Sequence, residues 1–206
     1  ANVPNTQIIY YDFPTAPILY EVHNLPTAKK HLADRDSFTS NVPNFRGVRT
    51  GIAVDCEGGY VAIPGGVAYD KDGKKIKTFS GGEDHFQNFI AAVRSGKRQD
   101  LNGEVEVGHV STAVTHTGNI SYRLGRQATG KELRAATDDV PYFNEMYGRL
   151  EEYLGAHEID LDSPSVTLGP MLEVDRANEC FKDSPNANKI VKGFYREPFV
   201  VPEIKI

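Results

Sequence analysis

The chain predicts an α+β fold of the broad α/β class: an open, mostly antiparallel β-sheet with helices packed on one face. Two observations carry this. From Thr50 to Phe79, β-rich segments are joined by short Gly, Pro and Asp turns that leave no room for parallel crossovers. Apolar residues at helical spacing then dominate from Phe86 onward.

The elements follow in order. Gln7–Phe13 and Ile18–Leu25 read as strands separated by Pro14-Thr15-Ala16-Pro17, an antiparallel pair. Thr27–Arg49, rich in charge, Asn and Ser, reads as a long irregular connection, functional or mobile. Strands are expected at Thr50–Asp55, Tyr60–Ile63, Val67–Asp70 and Lys75–Phe79, linked through Glu57-Gly58-Gly59, Pro64-Gly65-Gly66 and Lys71-Asp72-Gly73-Lys74. Apolar residues alternate imperfectly: Ile8 and Tyr10 oppose Ile9 and Tyr11, so both sheet faces should be covered, one by helices and one by a partner subunit.

Phe86, Phe89, Ile90 and Val93 make one face of a first helix, which Gly96 ends. A second helix spans at least Val107–Tyr122, and a third runs from about Tyr142 to Leu154 after the start signal Asp138-Asp139-Val140-Pro141. A short helical piece at Ala187–Val191 and an extended Pro198–Pro202 tail complete the chain.

Composition narrows the partners. At 206 residues the chain can bury one domain core, or one core with a smaller appended subdomain. One domain over residues 1–206 is expected. A net charge of -5 gives no basic field for nucleic acid, and Lys74-Lys75-Ile76-Lys77 reads as solvation of a strand edge. No apolar run reaches the roughly 18 residues of a membrane span, so a soluble chain without membrane partners is expected, in the cytoplasm or exported, with any export signal upstream. Cys56 and Cys180, far apart and without a CxxC pattern, support neither a disulfide nor a metal site. With no GxSxG motif, hydrolase readings lack support.

The second helix carries the candidate chemistry. Val107–Tyr122 contains no Asp, Glu, Lys or Arg, although a free surface helix normally carries charge. Val107, Val110, Val114, Thr117 and Leu124 form an apolar stripe expected to seat on the sheet. His109, Thr112, His116, Asn119 and Arg123, spaced by three and four, form a polar one. Imidazole and carboxamide groups both donate and accept hydrogen bonds, which suits the vicinal hydroxyls of a sugar-like molecule. The alternative is that the same side chains satisfy backbone groups at a subunit or domain contact. His109 and His116 are two turns, about 10 Å, apart along the axis, too far to share a metal ion comfortably. His85 stands beside Glu83 and Asp84, two acids that complement the helix dipole.

The segments His85–Ser95 (HFQNFIAAVRS) and Gly108–Arg126 (GHVSTAVTHTGNISYRLGR) closely resemble the carboxy-terminal domain of the Gfo/Idh/MocA oxidoreductases. Pro4–Pro14, Leu168–Asp175 and Tyr195–Glu203 resemble the same bacterial branch, so the likeness spans nearly the whole chain. The resemblance implies the substrate-side and assembly half of an NAD(P)-dependent enzyme acting on a sugar, sugar acid or cyclitol. It also implies a homo-oligomer built through a sheet face. The family's GxGxxG turn and its EKP-type catalytic lysine match nothing here, and its acid/base histidine sits upstream of residue 1. The resemblance therefore places cofactor and catalytic residues in an amino-terminal dinucleotide-binding domain outside this chain, which alone should be inactive. Two other readings stay open: a binding or scaffold domain, and part of a hydrolase or lyase member that performs no net oxidation.

Overall fold

A computed structural model describes residues 4–82, 84–193 and 195–202. Glu83 and Glu203, which entered the sequence reading, lie outside them. The fold is α+β, with helices and open antiparallel sheets. Its strands are β1 (Thr6–Tyr11), β2 (Ile18–His23), β3 (Ile52–Cys56), β4 (Gly59–Ile63), β5 (Val67–Asp70), β6 (Lys75–Thr78), β7 (Arg126–Ala128), β8 (Val166–Leu168), β9 (Val174–Asp175) and β10 (Cys180–Phe181). Its helices are α1 (Arg35–Ser40), α2 (His85–Ser95), α3 (Val105–Leu124), α4 (Gly130–Thr137), α5 (Phe143–Ala156) and α6 (Pro185–Asn188).

The described residues form two compact units. The first comprises Asn5–Val110 and Gly148–Ile159; the second comprises Ser111–Tyr147, the described residues from Asp160 onward, and Pro4.

In the first unit the expected single sheet is divided. β1 and β2 make an antiparallel ribbon with Ile8 opposite Glu21, while β3-β4-β5-β6 form a separate four-stranded meander. The division follows from the chain between them. Thr27–Arg49 holds its own structure: α1, capped by Asp34 accepting from Ser37 N at 2.6 Å, and a backbone bond from Thr27 N to Asn41 O at 2.7 Å.

A tight turn follows, in which Phe45 and Val48 exchange both backbone bonds while Arg46 (φ 52°) and Gly47 (φ 78°) take the positive dihedrals of a two-residue hairpin loop. Glycine suits such a position, whereas arginine there costs energy. Arg46 is held by what its side chain touches: an ion pair to Asp55, and the rings of Phe45 and Tyr60 at 4.9 and 4.5 Å from the guanidinium carbon. Phe45 also carries the guanidinium of Arg149 at 4.6 Å, Arg149 pairs with Glu21, and Tyr60 stacks on Tyr69 at 4.9 Å. This ladder, Glu21–Arg149–Phe45–Arg46–Tyr60–Tyr69, joins β2, α5, the connection and the meander.

The carboxy-terminal half of α5 covers one face of the β1–β2 ribbon. Glu21 and His23 share that face by the two-residue period of a strand. Tyr153 Oη accepts from Leu25 N at 2.8 Å and donates to Leu25 O at 3.0 Å, with its ring edge-on to His23 at 4.6 Å. His157 Nε2 donates to Pro26 O at 2.7 Å. On the opposite face Ile18 and Tyr20 remain exposed.

One packing expectation is corrected. The α2 face of Phe86, Phe89, Ile90 and Val93 does not seat on the sheet, for Phe86 is 67% and Val93 64% exposed. α2 is instead tied to the turn that follows it, since Asn88 donates to Asp100 O at 2.8 Å and accepts from Asn102 N at 3.0 Å. Its end matches the sequence signal of Gly96, at φ 65°, and Asp84, read from sequence as complementing the helix dipole, also caps the start by accepting from Phe86 N at 2.9 Å.

The second unit has a small core of Ile120, Phe181 and Ala187, with Leu124, Leu172 and Ile190 against it. α4 begins in a full capping box between Thr129 and Glu132. Its Gly130 lies beneath Tyr147, whose ring also takes the Arg134 guanidinium at 4.5 Å. Among the described residues no helix is long and apolar enough to cross a membrane.

Candidate functional site

α3 begins where Glu104 accepts from Glu106 N at 2.9 Å and binds Arg98 at 2.5 Å, and Arg98 also pairs with Glu106 at 2.7 Å. The bond and charge of Arg98 hold the Glu104 carboxyl below its ordinary range. The helix belongs to the first unit as far as Val110 and to the second from Ser111. His109 therefore lies in one unit, and Thr112, His116, Asn119 and Arg123 lie together in the other.

Within Ser111–Leu124 the helix has a packed side. Gly118 and Ile120 are buried, Leu124 rests on the Phe181 core, and Ser121 Oγ donates to Pro170 O at 2.7 Å. At 100° per residue, Thr112, His116, Asn119 and Arg123 fall in an arc of about 60°, centred about 150° from that packed side. Thr112, His116 and Arg123 are exposed and Asn119 is half-buried. Other hydroxyls of the helix are used internally: Thr115 donates to Thr112 O at 2.8 Å and Thr117 to Val114 O at 2.7 Å.

The arc is not uniformly available. His109 and Thr112 are already engaged by other groups. Asn119 Oδ1 is buried without a hydrogen-bond partner among the described residues. Buried amide oxygens are normally satisfied, and this one, which has no accessible surface, would meet an incoming hydroxyl donor only once the Asn119 amide turns outward.

The expected apolar stripe divides too. Val107 and Val110 are more than half exposed, whereas Leu124 packs on the β10–α6 core rather than on a sheet. Ile120, absent from the expected stripe, is the residue of α3 buried in that core. An isoleucine one helical turn before Leu124 was the available signal.

A second feature went unread in the sequence. A shallow hollow of about 460 Å³ at the tip of β3–β4 is lined by Arg46, Asp55, Tyr60 and Lys71 among others. Its principal cation is already committed to Asp55 and to two rings, so the hollow offers a ligand less than the α3 arc does. Cys56, at its rim, and Cys180 are free thiols. Among the described residues no three His, Cys, Asp or Glu side chains gather as metal ligands. His85 lies against Phe86, ring centroids 4.0 Å apart.

The strand-to-helix turn from β7 into α4 does not fit a dinucleotide. A pyrophosphate needs free N–H groups at the helix start and glycine that lets backbone approach it. Here Thr129 and Glu132 occupy that start, Glu132 adds negative charge, and a methyl group on Gly130 would stand 2.6 Å from Tyr147 Oη. The bonds from Thr129 and Arg126 hold Glu132 below the usual carboxylate range. This glycine serves packing.

Comparison with protein-family profiles, curated proteins and solved structures found no match to this chain.

Proposed function

We propose that this chain is the substrate-binding and assembly half of a Gfo/Idh/MocA-like, NAD(P)-dependent oxidoreductase acting on a sugar, sugar acid or cyclitol. The sequence resemblance supplies the class. The observation that carries the reading is the polar arc of α3, turned away from the packed side of its unit, with the buried and unpaired acceptor of Asn119 within it. Once its amide turns outward, Asn119 Oδ1 accepts a hydrogen bond from one ligand hydroxyl, and His116 donates to or accepts from its neighbour. The chain's part in the reaction is to orient these hydroxyls. By the sequence resemblance, cofactor and proton-transfer groups belong to a separate dinucleotide-binding domain.

The exposed apolar surface supports the assembly role. Ile52, Ile76 and Phe79 of the meander region and Phe86, Phe89 and Val93 of α2 are each more than half exposed, apolar side chains that an interface would cover. A homo-oligomer is the occupant this reading assigns to it.

Ligand-observed NMR with D-glucose and myo-inositol tests the binding step. Binding should be weak and specific, and His116→Ala and Asn119→Ala should each weaken it about 2- to 12-fold, the equivalent of one uncharged hydrogen bond. Failure of these polyols and of the corresponding sugar acids to bind, or binding indifferent to both variants, overturns the reading.

A further inference from the structure

We infer that Arg123 makes the α3 site selective for a ligand carrying one carboxylate, so that the polyhydroxylated substrate is a sugar acid rather than a neutral sugar or cyclitol. The inference rests on the reading of the arc as a polyol site, and it assigns the substrate class within that reading.

The arc is neutral from Thr112 to Asn119 and ends in a single cation. Other arginines are committed: Arg98 to Glu104 and Glu106, Arg126 to Glu132, and Arg149 to Glu21. Arg123 is exposed and has no carboxylate partner among the described residues. Arg35, Arg49 and Arg94 are uncommitted too, but none of them terminates a line of neutral hydrogen-bonding side chains.

Position and chemistry then select the anion. Arg123 lies about 6 Å along the helix axis from Asn119 and about 10 Å from His116. A six-carbon acid spans that interval with its carboxylate at the arginine and its hydroxyls at the amide and imidazole. The planar guanidinium fork matches a carboxylate bidentately. The fork pairs with phosphate as well, but the negative end of a helix opposes a phosphate of nearly two charges more than a singly charged carboxylate. Arg123 occupies the last turn of α3, where the helix presents partial negative charge.

The test uses the 206-residue chain with paired probes that differ at one carbon: D-glucuronate against D-glucose, and D-galacturonate against D-galactose. Affinities are read by ligand-observed NMR at fixed ionic strength, with circular dichroism confirming each variant's fold. At least one uronate should bind about tenfold or more tightly than its neutral partner, the effect of a charge-assisted hydrogen bond. Arg123→Gln should bring each pair to equal affinity. Arg123→Lys, which keeps charge but loses the fork, should restore only part of the preference. His116→Ala should weaken acid and neutral sugar alike.

Equal binding within each pair, unchanged by Arg123→Gln, overturns the inference while leaving the polyol site standing. No binding of any probe removes the polyol site itself, and the inference with it. A change in thermal stability with unaltered uronate preference would assign Arg123 to helix stabilisation and also overturn it.

Discussion

Replacing Phe45 by Leu should loosen the first unit more than the modest loss of side-chain volume warrants. The ring carries two guanidinium groups, Arg46 at 4.9 Å and Arg149 at 4.6 Å from its centre. A cation over an aromatic face is worth about 0.5–1 kcal/mol when exposed and about 2 when desolvated. Phe45 is half-buried, so about 1 kcal/mol for each contact, near 2 in all, is the working value. Phe45→Ala adds the loss of apolar burial, about 1–2 kcal/mol for a half-buried ring. Urea titration should report the loss through tyrosine fluorescence, since the chain has no tryptophan and Tyr60 belongs to the ladder. Hydrogen exchange at Val61 and Ala62 would place the effect in the meander. A cycle combining Phe45→Leu with Arg149→Met isolates one rung. If Phe45→Leu stays within about 0.5 kcal/mol of the parent and the cycle is additive, the ladder holds nothing together and the reasoning fails.

Three further outcomes follow from local geometry. Gly130→Ala should cost about 1–3 kcal/mol by overpacking against Tyr147 and Leu161, seen as a lowered midpoint in thermal unfolding; an unchanged midpoint would mean that the helix start shifts freely. Burial pushes the Glu21 carboxyl up, but bonds from His23 and Arg149 and the Arg149 charge outweigh it, holding the group below 4.5. Its contribution is therefore present above that value and lost as pH falls through the folded-state pKa, so Glu21→Gln should flatten the acid limb of a stability profile below about pH 4.5. Asp84→Ala removes the cap of α2 and should cost about 0.5–2 kcal/mol, read by amide exchange at Phe86 and Gln87.

The sequence was readable where structure is decided within a few residues. Strand boundaries around Pro64-Gly65-Gly66 and Lys71–Lys74 lie close to expectation because the turns fix them, Asp70 accepting from both Asp72 N and Lys74 N. α2 was legible at its Gly96 end for the same reason. The Thr129-Gly130-Lys131-Glu132 capping box was an equally local signal for α4, and it went unread. β7 pairing β8 across some forty residues, and β9 pairing β10 in two-residue strands, have no periodicity long enough to detect. The ladder was invisible because cation–π contacts depend on approach in space rather than on spacing. Of the site, the shared side of Thr112, His116, Asn119 and Arg123 could be read from helical geometry. That α3 passes from one unit to the other between Val110 and Ser111 could not.

The missing charge on α3 poses a sharper question in the structure than in the sequence. Burial of the whole helix would account for sixteen residues without Asp, Glu, Lys or Arg. Packing accounts for only one side of the helix, where Gly118, Ile120 and Ser121 meet their neighbours. His116 lies on the other side, exposed, where lysine or glutamate would ordinarily be tolerated. On the proposed reading, a ligand rich in hydroxyls would account for the neutrality there, because a fixed charge must be desolvated as the ligand settles against it. His116→Lys is the discriminating substitution. As an exposed helix position it should change stability by no more than about 0.5 kcal/mol, and lysine is the better helix former. Polyol binding should nonetheless fall, since the ammonium donates only and replaces a side chain that can also accept. Paired thermal unfolding and ligand-observed NMR separate the two effects. Loss of stability without loss of binding would mean that packing, not a ligand, keeps this side of α3 uncharged.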